Sequence, residues 1–172
     1  LRCVATAGMA LSAVSFYGLA MTDFSTQQIQ AWILMALLGF SAASALLAST
    51  AAIMAAAPAE KAAAAGAIET MAYELGAGLG IAIFGLLLSR SFSASILPPA
   101  GLNPQELERA SSSMGEAVQL AHSLPPSLSE ALLTAARDAF TWSHSVALSS
   151  AGSMLIVLAV GMWFSLAKVK QQ

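Results

Sequence analysis

Trp32–Ala57, WILMALLGFSAASALLASTAAIMAAA, runs for 26 residues without a charge. At 1.5 Å per residue a helix of that length reaches about 39 Å, enough to cross a hydrocarbon core of ~30 Å with tilt. It stops at Pro58 and the charged pair Glu60 and Lys61. On its N-terminal side, Asp23–Gln30 (DFSTQQIQ) reads as a short polar turn, and Cys3–Thr22 before it is another charge-free run. On its C-terminal side, Ala62–Ser89 is a third helical run that contains Glu69 and Glu74. From Ala139 to Ala167 only His144 can titrate. The expected fold is therefore an all-α integral membrane protein with four transmembrane helices, at about 3–22, 32–57, 62–89 and 143–167.

Composition agrees. Of 172 residues, 58% are hydrophobic and 9% charged, with a mean hydropathy of +0.75. An ordinary soluble domain carries about 25% charged residues, so a soluble enzyme of usual make-up is disfavoured, and so is disorder. A net charge of −2 and a pI near 5.6 argue against a nucleic-acid partner, which calls for a basic patch. Cys3, the single cysteine, supplies neither an internal disulfide nor a zinc site. The chain begins at Leu1 without a signal-peptide pattern. It is expected to be a fragment that starts inside or just before a helix.

The polar stretch between the third and fourth spans, about 90–140, has helical signals of its own. Asn103-Pro-Gln-Glu106 has an N-cap residue, a proline at the first helical position and a glutamate three residues on. Apolar residues follow at Leu107, Ala110, Met114, Ala117, Val118 and Ala121, the spacing of one face of a single helix that Pro125-Pro126 would end. Ser127-Leu-Ser-Glu130 reads as a second capping box, with Leu128, Ala131, Leu132 and Ala135 on a stripe. No proline or glycine then intervenes before Gly152, so this helix is expected to run into the last span. The segment reads as an extracytoplasmic cap packed on the bundle, the alternative being a partner-binding surface.

Lys and Arg in short loops orient membrane spans. With the second-to-third connection inside, Arg2, Lys61, Lys168 and Lys170 lie inside. Arg90, Arg109 and Arg137 then lie outside among Glu106, Glu108, Glu116, Glu130 and Asp138. Trp142 and Trp163 are 21 residues apart, roughly 32 Å of helix, which matches the two interfaces of one bilayer. With Glu60 added inside and Asp23 outside, the two sides sum to +3 and −3, so the net −2 equals the formal charge of Glu69 and Glu74, the two acids that fit no loop or span end.

A carboxylate at membrane depth costs of order 2.5–3.5 kcal/mol on insertion scales, and such residues face a cavity or a partner. A carboxyl group so placed can hold a proton, release it to a cation and take it back. Glu69 is the first choice for that proton- and cation-binding role and Glu74 the second. They stand five residues apart, roughly 140° around a helix, so one narrow pocket would take both only if the helix bends. One helical face carries Gly66, Glu69, Tyr73, Gly76 and Gly80, and another carries Thr70, Glu74 and Gly78. Tyr73 and Thr70 are candidate cavity-lining residues, the ring being able to attract a cation. Gly66, Gly76, Gly78 and Gly80 are candidate helix-packing positions, Gly76 and Gly80 having the small-x-x-x-small form. The bland alternative is packing glycines plus a carboxylate bonded to a neighbouring helix. A stripe of Ser41, Ala45 and Ser49 on the second span predicts another close helix contact.

Nothing else in the chain reads as chemistry. His122 and His144 lack metal-ligand spacing, and the serines form no readable triad or nucleophile elbow. There is no glycine-rich phosphate loop. The expectation is a protein that is not an enzyme and has no cofactor, metal or catalytic residue.

Ala57-Pro58-Ala59-Glu60-Lys61 followed by GAIETMAYELGAGLGIAIFG (Gly66–Gly85) resembles the penultimate helix of the fourteen-spanner drug:proton antiporters of the major facilitator superfamily, of the quaternary-ammonium and disinfectant efflux type. The long external segment with Ala139-Phe140 before the last span resembles that family too. The likeness covers the whole chain but only the last four of fourteen helices. It implies that the second and third spans face the drug path and the first and last face lipid. It implies that Glu69 occupies the position of an intramembrane acid used in cation recognition or proton coupling. Members often carry two adjacent acids there, whereas Thr70 stands second here, which weighs against a divalent-cation preference. The implied partners are lipophilic cations, protons, membrane lipids and the missing N-terminal helices, and the implied location is the bacterial inner membrane, crossed several times. A stand-alone four-helix membrane assembly or interaction protein is the competing reading.

Overall fold

The computed structural model describes the backbone of residues 2–24 and 26–167, and the side chains of 3–24 and 26–164. Lys168, Lys170 and the side chain of Arg2, three of the four cations assigned to the inside, lie outside the described residues. Six α-helices follow one another: α1 Arg2–Ala20, α2 Gln28–Ala56, α3 Ala62–Ser95, α4 Pro104–Ser112, α5 Met114–Ala121 and α6 Pro126–Ala167, with a single 3₁₀ turn at Ala59–Lys61. No strand occurs among the described residues. Four helices, α1, α2, α3 and α6, are long and apolar enough to cross a membrane.

The helices overrun the apolar slabs from which they were inferred. α2 starts at Gln28 instead of Trp32, so the polar turn is shorter than expected. α3 runs on through Arg90 to Ser95 rather than stopping at Ser89. The cause is common to both: hydropathy marks the length of chain that suits hydrocarbon, whereas a helix ends where backbone conformation changes. Ala57 is extended (φ −84°, ψ 134°) because Pro58 follows it, and past α3 the chain meets Pro98-Pro99 and then Gly101, whose φ of +110° suits glycine.

α6 fulfils the expectation of one helix from the polar segment through the last span. Its 42 residues make about 63 Å, twice the hydrocarbon thickness. It opens at Pro126, one residue before Ser127, so Ser127 lies inside the helix and the Ser127–Glu130 box is not its cap. The Asn103 box forms in full: Asn103 Oδ1 accepts from the Glu106 amide and Glu106 Oε2 accepts from the Asn103 amide, both at 2.8 Å. The single helix expected after it is two. Ser113 is extended (φ −165°, ψ 161°), ends α4 and caps α5, its Oγ accepting from the Glu116 amide at 3.2 Å. Ser113-Met-Gly-Glu116 is itself a capping signature, and Leu107, expected on the apolar face, is 46% exposed.

The chain divides into two compact units, residues 81–147 and the remainder. In the first, Phe92, Ile96, Ala117, Ala136 and Ala139 form one apolar cluster, with Met114 and Ala135 against it. Ala110, Leu120, Ala121 and Leu132 form another. Leu132, Ala136, Ala139 and Ser143 are the buried stripe of α6; of the expected Leu128, Ala131, Leu132 and Ala135 stripe, Leu132 is buried, Leu128 and Ala135 are half-buried and Ala131 is exposed. Arg109 bridges the α4–α5 break to Glu116 at 3.0 Å.

In the other unit α1 packs closely on α2. A Cβ on Gly8 would lie 2.9 Å from the Ser41 carbonyl oxygen and 3.0 Å from Ala45 Cβ, so this approach needs glycine. Buried Ser12 and Ser41 share a hydrogen bond of 2.8 Å between hydroxyls. The buried stripe on α2 is Ser41, Ala45 and Ala48, with Ser49 half-buried beside it. Tyr17 of α1 meets Ser153 of α6 through a 2.6 Å hydroxyl contact, and its ring lies 3.0 Å from where a Cβ on Gly152 would stand.

Candidate cation and proton site

Glu69 is positioned by the α2–α3 connection. α2 ends where Pro58 forces its neighbour into extended backbone, the Ala59–Lys61 turn reverses the chain, and α3 starts at once. Thr50 is seven residues before Ala57 and Glu69 seven after Ala62, so each is about 10 Å along its helix from the turn. Thr50 Oγ1 donates a hydrogen bond to Glu69 Oε1. One turn nearer the connection, a Cβ on Gly66 would lie 3.3 Å from Met54 Cε. Glu69, Thr50 and Gly66 are all half-buried.

The bond bears on the cost of an acid at this depth. A hydrogen bond to a charged group contributes roughly 1.5–3 kcal/mol, comparable with the insertion penalty of a mid-membrane carboxylate, of order 2.5–3.5 kcal/mol. With α3 in a bilayer, the Thr50 hydroxyl would offset a large part of that penalty, and the bond leaves Glu69 Oε2 for another donor. Thr50 was missed in the sequence. The signal that finds it is its mirrored offset from the Ala57-Pro58 break.

The other candidates are set apart from this pair. Glu74 is exposed and has no hydrogen-bond or ion-pair partner among the described residues. Tyr73 is 59% exposed. Thr70 is exposed and its hydroxyl donates to the Gly66 carbonyl of its own helix at 3.1 Å. Cβ atoms on Gly76, Gly78 or Gly80 would meet nothing within 4 Å. Phe92 is the one buried residue of α3; Ile68, Met71, Leu75, Leu79, Ile81 and Ile83 are all more than half exposed. From Thr70 to Leu79 every residue of this helix is exposed, its apolar and carboxylate surface open to whatever surrounds the chain.

His122 caps the end of α5, and His144 stacks on Phe140 with ring centroids 5.9 Å apart. No cluster of three potential metal ligands exists among the described residues. Trp142 and Trp163 are exposed on α6.

These features describe an all-helical chain with four membrane-capable helices and an acid held between two of them. Over all 172 residues it is 84% identical to the methyl viologen resistance protein SmvA of Salmonella typhimurium, in strains 14028s and LT2 alike. It is 36% identical over 107 residues, 62% of this chain, to the multidrug efflux pump LfrA of Mycolicibacterium smegmatis. The chain spans 35% of the length of the Salmonella proteins and its match 21% of the mycobacterial one. No family model and no solved structure matches it.

Proposed function

We propose that this chain is the C-terminal part of a proton-coupled multidrug antiporter of the fourteen-spanner major facilitator type, exporting lipophilic and quaternary-ammonium cations across a bacterial inner membrane. The observation that carries the reading is Glu69, an acid about 10 Å into an apolar helix, held by the Thr50 hydroxyl. The names of the two relatives, one for methyl viologen resistance and one for multidrug efflux, support the same reading.

The chemistry is competition for one carboxylate. Ionised, Glu69 attracts a cation whose own charge compensates the burial of the acid. Protonated, it is neutral and has no hold on the cation. Proton and cation exclude each other, so a proton arriving from outside drives the cation off. Methyl viologen is a bis-quaternary dication; Glu74, five residues on and about 140° around the helix, would meet its second charge only from outside the Glu69 pocket. The exposed apolar surface of α3 is the face on which lipid and the N-terminal helices of the complete exporter would pack.

Glu69→Gln in the complete exporter tests this. Loss of proton-driven export of both mono- and dications at unchanged membrane level is the expected result. Export at the wild-type rate would remove Glu69 from the mechanism.

A further inference from the structure

We infer that Thr50 is a positioning residue for Glu69, holding its carboxyl group at the α2–α3 seam in both the ionised and the protonated state. This rests on the reading of Glu69 as the exchanging group. Three observations support it. Thr50 Oγ1 donates to Glu69 Oε1 across 19 residues of sequence. Met54, one turn from Thr50, closes on Gly66, so the two helices approach on the side where the bond forms. Glu74, on the same helix and equally acidic, has no such partner among the described residues.

A hydroxyl is both donor and acceptor. Facing a carboxylate, Thr50 donates its proton. Facing the carboxylic acid, its oxygen accepts a hydrogen bond from the acid's O–H, and its own O–H turns to another acceptor such as a carbonyl one turn back on α2, as those of Thr70 and Ser44 do on their helices. Thr50 therefore keeps Glu69 satisfied through the exchange without moving either helix. One carboxylate oxygen is engaged and the other presented to the cation. Without the hydroxyl, the carboxyl group is free to turn off the seam, and cation affinity falls while the transport path stays intact.

The experiment measures binding of methyl viologen, by titration, to the purified complete exporter and to its Thr50→Val, Thr50→Ser, Glu69→Gln and Thr50→Val/Glu69→Gln variants. Thr50→Val keeps the side-chain shape and should raise the Kd about tenfold, the order expected for losing a hydrogen bond to a charged group. Thr50→Ser, which keeps the hydroxyl, should restore affinity to within about twofold of wild type. The double variant should bind no more weakly than Glu69→Gln, because Thr50 acts only through Glu69; independent effects would add. If Glu69→Gln weakens binding but Thr50→Val binds like wild type, or Thr50→Ser is as weak as Thr50→Val, or the double variant is additive, the positioning role is overturned and Glu69 keeps its function. If Glu69→Gln itself binds like wild type, the reading of Glu69 fails and the inference with it.

Discussion

In the 81–147 unit the charged, polar chain buries Leu132, Ala110, Ala117 and Ala136 completely. α3 between Ala62 and Gly80, richer in apolar residues, buries none. On the proposed reading the difference is one of solvent, water around residues 90–140 and lipid around α3. A segment in water must cover its apolar side chains, and α4, α5 and the first half of α6 do so against one another with alanines that let the helices approach. A segment in lipid has no such need, since acyl chains are as apolar as leucine and association rests on close packing and polar contacts. In α3 the polar contact is Glu69 with Thr50. Internal burial is therefore the wrong measure of how firmly α3 is held.

The sharpest test of that contrast is Leu132→Ala. It removes a fully buried side chain from the 81–147 core and should cost about 2–5 kcal/mol, seen as early protease cleavage in residues 90–140. A loss no larger than that of an exposed leucine such as Leu97 would mean this core does not hold the unit together. Next is a pair of glycines. Gly8→Ala puts a Cβ 2.9 Å from the Ser41 carbonyl oxygen and should destabilise the α1–α2 contact by roughly 1–3 kcal/mol. Gly78→Ala meets nothing within 4 Å and gains up to about 1 kcal/mol of helix propensity. Thermal unfolding of the complete protein in detergent separates them. A Gly78→Ala protein as damaged as Gly8→Ala would place another helix against α3. The smallest effect belongs to Asn103→Ala, which deletes one capping box and should lower the stability of the 81–147 unit by about 1 kcal/mol, measured by amide exchange in α4.

Most of the helical layout is legible in the residues. Charge-free runs mark α1, α2 and the end of α6, a long apolar run interrupted by two acids marks α3, and the Asn103-Pro-Gln-Glu106 signature marks the start of α4. Ser113 shows where that kind of reading stops. Ser-Met-Gly-Glu is a capping signature like Asn-Pro-Gln-Glu but without its proline or its reciprocal bond, and it lies inside a run with helical periodicity that hides the break. Ser127 shows the reverse, a well-formed box left inside α6 because the helix had started at Pro126. At the candidate site, Glu69 is evident as an acid in an apolar run. Thr50 is one of many hydroxyls on small-residue helices, and only its distance from the turn, matched to that of Glu69, distinguishes it.

The sequence by itself determined the medium: with 9% charged residues, four long apolar helices and two acids left over, the chain suits a membrane, because charge scarcity and run length are one-dimensional properties. Tertiary structure decided which of the two acids is held. Glu69 and Glu74 are alike in composition and nearly alike in context. Only the reversal at Pro58 brings the Thr50 hydroxyl opposite the first and, among the described residues, no partner opposite the second, and a hydrogen bond depends on that juxtaposition in space.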